Sequence, residues 1–512
     1  MNNKSCIFSI LFLGLPFFLI GQSISDFISV TPVTQTEAYV FPSSHKFQKI
    51  IESGDALTEG GTMPISPDFS GFVPISGSST NGYLSINSES APGGNTILDI
   101  SFNSGSNLWE VSASEAVDFS AVAGTIANCS GTVTPWNTVV SCEEFSSSLD
   151  QNGDGYRDYG WNVEIDPATK TVLGKRFAMG NFAHENIVIH NNLRTVYQGA
   201  DSNPGYLYKF VSTVAQDLSS GVLYVYSGSK NGAGNWIQIP NTTQTERNTT
   251  LSLSSSAGGT VFNGVEDVEI GPDGQVYLAV KGENRVYRFQ DSDPITGTTA
   301  TMETYVGNMN YDITHAGGTT SVSWGSGNDN LAFDGNGNLW VNQDGGNHYI
   351  WVVDNGHTQA SPQVRIFGIA PSGSESTGIT FTPDFKYMFL SIQHPSSSNA
   401  ANQTDADGQV VDFDKGTTLV MALADDLGET LSLNGNEQTV YSIHPNPVST
   451  NEMIEITGKN IEKVSWFDVN GKLIFERKYD REQRVELNLN GLSSGFYFCR
   501  INDRKTVKIL VE

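Results

Sequence analysis

The stretch 267-DVEIGPDGQVYLAVKGENRVYRF-289 decides the fold. A short β-branched run meets Gly271-Pro272-Asp273-Gly274, and two further runs of the same kind follow. Gly, Pro and Asp in that order build a tight turn, so the apolar runs on either side of it read as the arms of a β-hairpin. The same form returns at 330-NLAFDGNGNLWVNQDGGNHYIWVVD-354 and 379-ITFTPDFKYMFLSIQ-393, where D-G-N-G and T-P-D-F are the turns. Looser copies run through 161-WNVEIDPATKTVLGKRF-177, 186-NIVIHNNLRTVYQGA-200 and 206-YLYKFV-211.

Recurrence every 50–80 residues or so, in units the size of four strands, is the pattern of a β-propeller whose blades carry loop insertions. The 52 Gly and 19 Pro fit a turn-rich, all-β chain. A sandwich shares most of these features. The propeller is preferred because acidic or amide residues precede the hairpins at a similar place: His184 and Glu185, Glu266 and Asp267, Asp329 and Asn330, and Glu375. Innermost propeller strands begin near the central channel, so these side chains should converge on one axis, where cations must neutralise them.

The chain opens with Met1-Asn2-Asn3-Lys4 and an apolar run to Ile20, closed by Gly21, Gln22 and Ser23. That order reads as a secretory signal peptide over 1–22, too short for the roughly 18–20 apolar residues of a membrane span. No transmembrane segment is expected elsewhere. The repeats assign 23–423 to the propeller, and 424–440 reads as a polar linker. Residues 441–512 hold a separate run of short strands, expected to form a small Ig-like β-sandwich.

A net charge of −27, from 55 acidic against 28 basic residues, excludes a nucleic-acid partner, which needs clustered Lys and Arg. The excess serves either to solvate an exported surface or to gather carboxylates around hard cations. Of four cysteines, Cys6 leaves with the leader, and Cys129, Cys142 and Cys499 remain. No H-E-x-x-H zinc motif and no G-x-S-x-G nucleophile elbow is present.

Two segments carry metal-ligand chemistry. In 128-NCSGTVTPWNTVVSCEEF-145, Cys142, Glu143 and Glu144 join a soft thiolate to hard oxygens, a mixture suited to a transition metal beside a harder ion. On spacing alone Cys129 and Cys142 also read as a disulfide closing a small loop. In 150-DQNGDGYRD-158, Asp150, Asn152, Asp154 and Asp158 with Gly155 reproduce the front of a calcium loop, although Trp161 stands where its final Glu would be. A separate calcium site and a plain Asx-rich turn are equal readings of it.

Together 128-NCSGTVTPWNTVVSCEE-144, 180-GNFAHE-185, 199-GADSNPGYLYKFV-211, 266-EDVEI-270, 329-DNLAFD-334, 375-ESTGITFTPD-384 and 393-QHP-395 resemble the PhoX family of alkaline phosphatases. The resemblance implies a propeller holding iron and calcium in its channel and hydrolysing phosphate monoesters at alkaline pH. Carried over by position, it makes Cys142 an iron ligand and Glu185, Asp201, Glu266 and Asp329 metal-binding carboxylates. Glu143, Glu144, Asn330 and Glu375 lie in matching motifs. On this reading Cys142 binds metal and forms no disulfide.

Four departures stand out. The family's Arg-Pro pair before the acid matched by Glu266 is Gly264-Val265 here, which removes a guanidinium suited to clamping phosphate. Lys281, Arg285 and Arg365 are the candidate replacements. The family's N-H-E near the first blade is Asn87-Ser88-Glu89, no Arg pair precedes the apolar run of the leader, and the body is short. A calcium-dependent lactonase-like propeller hydrolase and a non-catalytic, metal-stabilised surface binding protein are the competing readings.

At the C-terminus, P-N-P at 445–447, 468-DVNGK-472, L-S-S-G-F-Y at 492–497 and 505-KTVKILV-511 resemble the sorting domain of the type IX secretion system. This second resemblance implies passage across an outer membrane, with the secretion machinery as a partner, and a secreted or surface-attached product; the phosphatase resemblance makes its substrate a small phosphate ester.

Overall fold

The computed structural model describes residues 23–428 and 441–512, apart from 451, 470, 503 and 504. The expected leader and most of the expected linker lie outside the described residues. The chain divides into two compact units, Met1–Thr430 and Leu431–Glu512.

Among the described residues, the first unit contains six antiparallel blades: four are four-stranded sheets, and blades three and four are joined through Gly232–Ile239 into one nine-stranded sheet. Their innermost strands are Pro67–Pro74, Asn128–Val133, His184–Ile189, Val265–Ile270, Asn328–Phe333 and Glu375–Phe381, which number the blades one to six. Each packs against the inner strands of both neighbouring blades, so the ring closes. Blade six takes its outermost strand, His45–Glu52, from the start of the chain, where it pairs with Thr417–Leu423 near the end of the unit. The two termini of the propeller are thereby hydrogen-bonded into one blade.

The three turns read from the sequence do the work expected of them. Asp273 Oδ1 accepts the Gln275 N–H at 3.0 Å, and Asp334 Oδ1 accepts those of Asn336 and Asn338 at 2.9 and 3.0 Å. Thr382 Oγ1 donates to Asp384 Oδ1 at 2.7 Å. Each Asx- or Thr-anchored turn reverses the chain from the inner strand into the second strand.

Apolar cores fill the wedges between blades. Tyr277, Val286, Leu339 and Trp351 join blades four and five. Trp340, Ile350, Met388 and Leu419 join five and six, and Leu84, Leu98, Phe389 and Val420 join six and one. Fully buried side chains of this size each contribute about 1.5–3 kcal/mol. The stability therefore resides between the blades, and the channel is left free to carry polar groups.

The second unit is a five-stranded antiparallel sheet around Ile454, Ile456, Trp466, Leu487 and Ile509. Its long strand Met453–Phe467 pairs through Glu455–Thr457 with Ser442–His444 and through Val464–Phe467 with Gly495–Ile501. The register breaks between these two halves, which lets one strand turn a corner. Among the described residues no helix is long and apolar enough to cross a membrane.

Candidate metal centre at the head of the channel

The inner strands share one irregularity that places the site. In blades one to five the pairing with the second strand breaks after the first residue, Pro67, Asn128, His184, Val265 and Asn328, and in blade six it breaks after the third, Thr377. A bulge interrupts the alternation of a strand and re-aims the side chain it releases. The residues released are Asp68, Cys129, Glu185, Glu266 and Asp329 in blades one to five. In blade six the released residue is Gly378, at φ +58, where a Cβ would lie 2.6 Å from Phe69 Cα. Blade six supplies its acid three residues earlier, as Glu375.

These side chains meet. Ligand atoms of Asp68, Glu89 and Cys129 lie within 4.8 Å of one another, as do those of Cys129, Glu144 and Glu185, of Glu185, Glu266 and Asp329, and of Asp329, Asp344 and Glu375. Because neighbouring groups share members, they run as one arc from blade one to blade six. Cys129 Sγ lies 3.0 Å from Glu185 Oε1 and 3.7 Å from Asp68 Oδ2. Gln393 Nε2 donates to Glu89 at 2.6 Å and Asp68 at 3.2 Å, and His394 Nε2 lies 2.8 Å from Glu375 Oε1.

Burial pushes the Asp68, Glu185, Glu266 and Asp329 carboxyls well above the carboxylate range, and the neighbouring acids add to the shift. Glu144 is pushed up to about 11 by burial and then by its hydrogen bond with Asp201. The Cys129 thiol rises for the same reasons, burial first and then Asp68 and Glu185. Asp68 Oδ1 and Glu185 Oε2 are buried without a hydrogen-bond partner. Glu266 Oε1 has none of good geometry either, the Lys281 ammonium standing off at 3.4 Å. Unsatisfied buried oxygens this close together are costly unless cations sit among them.

A polar layer supports the arc from below. The Asn186 amide donates to Asp267 Oδ1, whose other oxygen accepts the Leu331 N–H at 2.7 Å, and Asn330 Oδ1 accepts the Gly378 N–H at 2.6 Å. Asn330 thus faces the backbone of blade six, while its amide also donates to Asp329 Oδ1 at 3.0 Å.

The structure brings Glu144, Glu185, Glu266, Asp329 and Glu375 together, with Asp201 against Glu144. It sets Cys142 and Glu143 elsewhere. The Cys142 thiol lies in the apolar core between blades two and three and donates to Asn162 Oδ1 at 3.2 Å. Glu143 is held by Lys175 at 3.0 Å, by Thr125, and by the N–H groups of Gly160 and Trp161. The physical reason is strand order: 142–143 belong to the second strand of blade two, Val139–Glu143, whereas Cys129 stands on the inner strand. Both cysteines are free, so they form no disulfide.

At 150–158 the carboxylates face their own backbone. Asp150 accepts from the N–H groups of Asp154 and Gly155 at 3.1 Å, Asp158 accepts from Gln151, and Asn152 bonds Asp154. Of the three candidate cations, Lys281 alone reaches the arc, 2.8 Å from Asp344 and 3.4 Å from Glu266. Arg365 pairs with Asp354, and Arg285 bonds the Glu283 carbonyl. At Gly264, φ is +76 and a Cβ would lie 2.7 Å from Asp201 Oδ1, so the Asp201 carboxylate takes the room an arginine's Cβ would need.

Sequence reasoning missed Cys129, Asp68 and Asp344, and took Glu89 only as a departure. The signal lay in phase. Aligned on the bulge, Pro67-Asp68, Asn128-Cys129, His184-Glu185, Val265-Glu266 and Asn328-Asp329 put every released ligand at one position. Asp344 belongs to a second repeated position, one residue past the second-strand partner of the bulge, as Glu89 follows Ser88, Glu144 follows Glu143 and Asp201 follows Ala200.

Fold and site define a six-bladed β-propeller with a buried cluster of carboxylates and one thiol at the head of its channel. The chain belongs to the alkaline phosphatase PhoX family, whose sequence model matches residues 103–396, and is a phosphoric monoester hydrolase of that family. A secretion system C-terminal sorting domain, of the type IX kind, matches 442–512. Among solved structures, PhoX of Pseudomonas fluorescens, in complex with the transition-state analogue vanadate, is similar at 21% identity and a TM-score of 0.62. That likeness covers 78% of this chain and 98% of the other. A catalytically inactive virginiamycin B lyase from Staphylococcus aureus is a remoter likeness, at 12% identity and a TM-score of 0.37, over 74% and 99% of the two chains. No curated protein sequence matches.

Proposed function

We propose that the protein is an exported phosphomonoesterase whose channel-head arc binds iron and calcium, and that phosphate esters react there. The observation that carries the reading is the buried arc itself, with unpartnered oxygens on Asp68 and Glu185. The donor set fits those cations: carboxylate oxygens from Asp68, Glu89, Glu144, Glu185, Glu266, Asp329, Asp344 and Glu375 suit calcium, and the Cys129 thiolate beside them suits iron. Bound there, the cations supply the positive charge that a phosphoryl transition state needs in a site otherwise lined with negative charge.

The chain's own residues do the rest. The Lys281 ammonium, 35% exposed, faces both the arc and solvent and holds a substrate phosphate oxygen. Asp344 and Glu266 fix its position. Gln393 orients Asp68 and Glu89, and the Asn186, Asp267 and Asn330 layer holds the inner strands in register beneath the arc. Vanadate binding by the Pseudomonas fluorescens protein supports a phosphoryl site in this fold. The sorting domain supports export, with the leader over 1–22, the propeller over 23–423, the linker over 424–440 and the sorting domain over 441–512.

Elemental analysis of native protein, paired with p-nitrophenyl phosphate turnover at alkaline pH before and after chelation, tests the proposal. Iron and calcium that leave together with activity support it. Turnover that persists in metal-free protein overturns it.

A further inference from the structure

We propose that the hollow between loops 53–66 and 394–416 is the subsite for the organic part of the substrate, and that it takes an apolar or aromatic alcohol. This rests on the phosphomonoesterase reading and adds the class of ester. The hollow holds about 530 Å³, within the roughly 300–1,000 Å³ of small-molecule sites. It borders the acid arc at two points. Ser66, two residues before Asp68, lines it and accepts the Glu89 N–H on its carbonyl at 2.9 Å. His394 lines it from the other side and reaches Glu375 at 2.8 Å. The proposal sets the ester oxygen of an arc-bound phosphate toward this hollow, the side on which Ser66 and His394 adjoin the arc.

The lining states the chemistry of the occupant. Met63, Pro64, Ile65 and Pro395 form an apolar wall, and Ile65 is 66% exposed, a large apolar surface left to water beside a charged site. Ser53 lies in the same lining, 8% exposed, with its hydroxyl buried and unpartnered, ready to bond one polar atom of a bound molecule. Both cations of the lining are already paired, Lys415 with Glu52 at 3.2 Å and His394 with Glu375 at 2.8 Å, and Asp414 adds a negative charge. A second phosphate finds no welcome there, whereas a neutral ring with one hydroxyl does.

The test compares wild type with Ile65→Ser, a change at an exposed position that leaves the blade cores untouched. With 1-naphthyl phosphate kcat/KM falls about tenfold, the loss expected from forfeiting part of an apolar contact, while glycerol 2-phosphate changes less than about twofold. Binding of 1-naphthol alone, followed by its fluorescence, weakens in parallel. Equal effects on both esters, or naphthol binding that is absent or identical in the two proteins, overturn the inference. Intact naphthol binding that Ile65→Ser weakens, with no turnover of any monoester, supports the subsite and removes the phosphatase reading alone.

Discussion

Cys129 Sγ lies 3.0 Å from Glu185 Oε1 across the boundary between blades two and three, each on the bulge of its own inner strand. A thiol buried against carboxylates is forced to keep its proton unless a cation replaces it. On the proposed iron and calcium reading, Cys129→Ala strips iron and lowers turnover by more than the roughly 10–100-fold typical of residues that only support a metal ligand. Cys142→Ala removes a core hydrogen bond to Asn162, which costs about 1–3 kcal/mol of stability and leaves metal content unchanged. Elemental analysis and denaturant melts of both variants decide which thiol serves the site. Iron lost from Cys142→Ala and kept in Cys129→Ala reverses the assignment.

Lys281 stands where three acids of the arc need a cation and where solvent can still reach. Lys281→Ala lowers kcat/KM for p-nitrophenyl phosphate about 100-fold, the scale of one lost charge-stabilising donor, and weakens inhibition by inorganic phosphate. Lys281→Arg keeps the charge and recovers most of both. Steady-state kinetics with phosphate as inhibitor reads the effect, and an unchanged inhibition constant in Lys281→Ala refutes a phosphate contact.

How far the sequence could be read follows from which signals are local. Turns such as Gly271–Gly274 are written in adjacent residues, so the hairpins and the all-β class were legible. Convergence of Glu185, Glu266 and Asp329 was legible too, because each stands at the same step of a repeated motif. The choice between Cys129 and Cys142 was not. It depends on which strand of blade two is innermost, a fact of ring closure that neither cysteine's neighbours encode. Asp344 was missed because its place depends on strand pairing: Gln343 lies opposite Asn328, which sets Asp344 beside the start of the inner strand.

Gly378 is required by packing as well as by conformation. At φ +58, an added Cβ would meet Phe69 Cα, Asp68 O and Ser70 N at 2.6–2.7 Å, all backbone atoms of blade one. Gly378→Ala costs about 3 kcal/mol or more. Gly274→Ala, at φ +76 with nothing within 4 Å, costs about 1 kcal/mol. Urea melts of the two variants separate the terms, and equal losses deny that the seam between blades six and one is tight.

His45 opens the strand that closes the ring, and it is buried edge-on against Phe367 with Nε2 2.9 Å from the Ile24 carbonyl. Burial lowers its pKa from 6.5 to about 4, so the folded protein keeps it neutral where the unfolded chain binds a proton. The unfolded state then holds more protons between these two values, and stability rises with pH across that window. The His45 contribution is complete above about pH 6.5 and is lost progressively as pH falls toward 4, by up to about 3 kcal/mol. In His45→Gln the titrating group is gone. Urea melts at pH 7 and pH 4.5 find the wild type losing about 2 kcal/mol more than the variant on acidification. A difference between the two proteins that does not change with pH shows that the closing strand carries no such proton linkage.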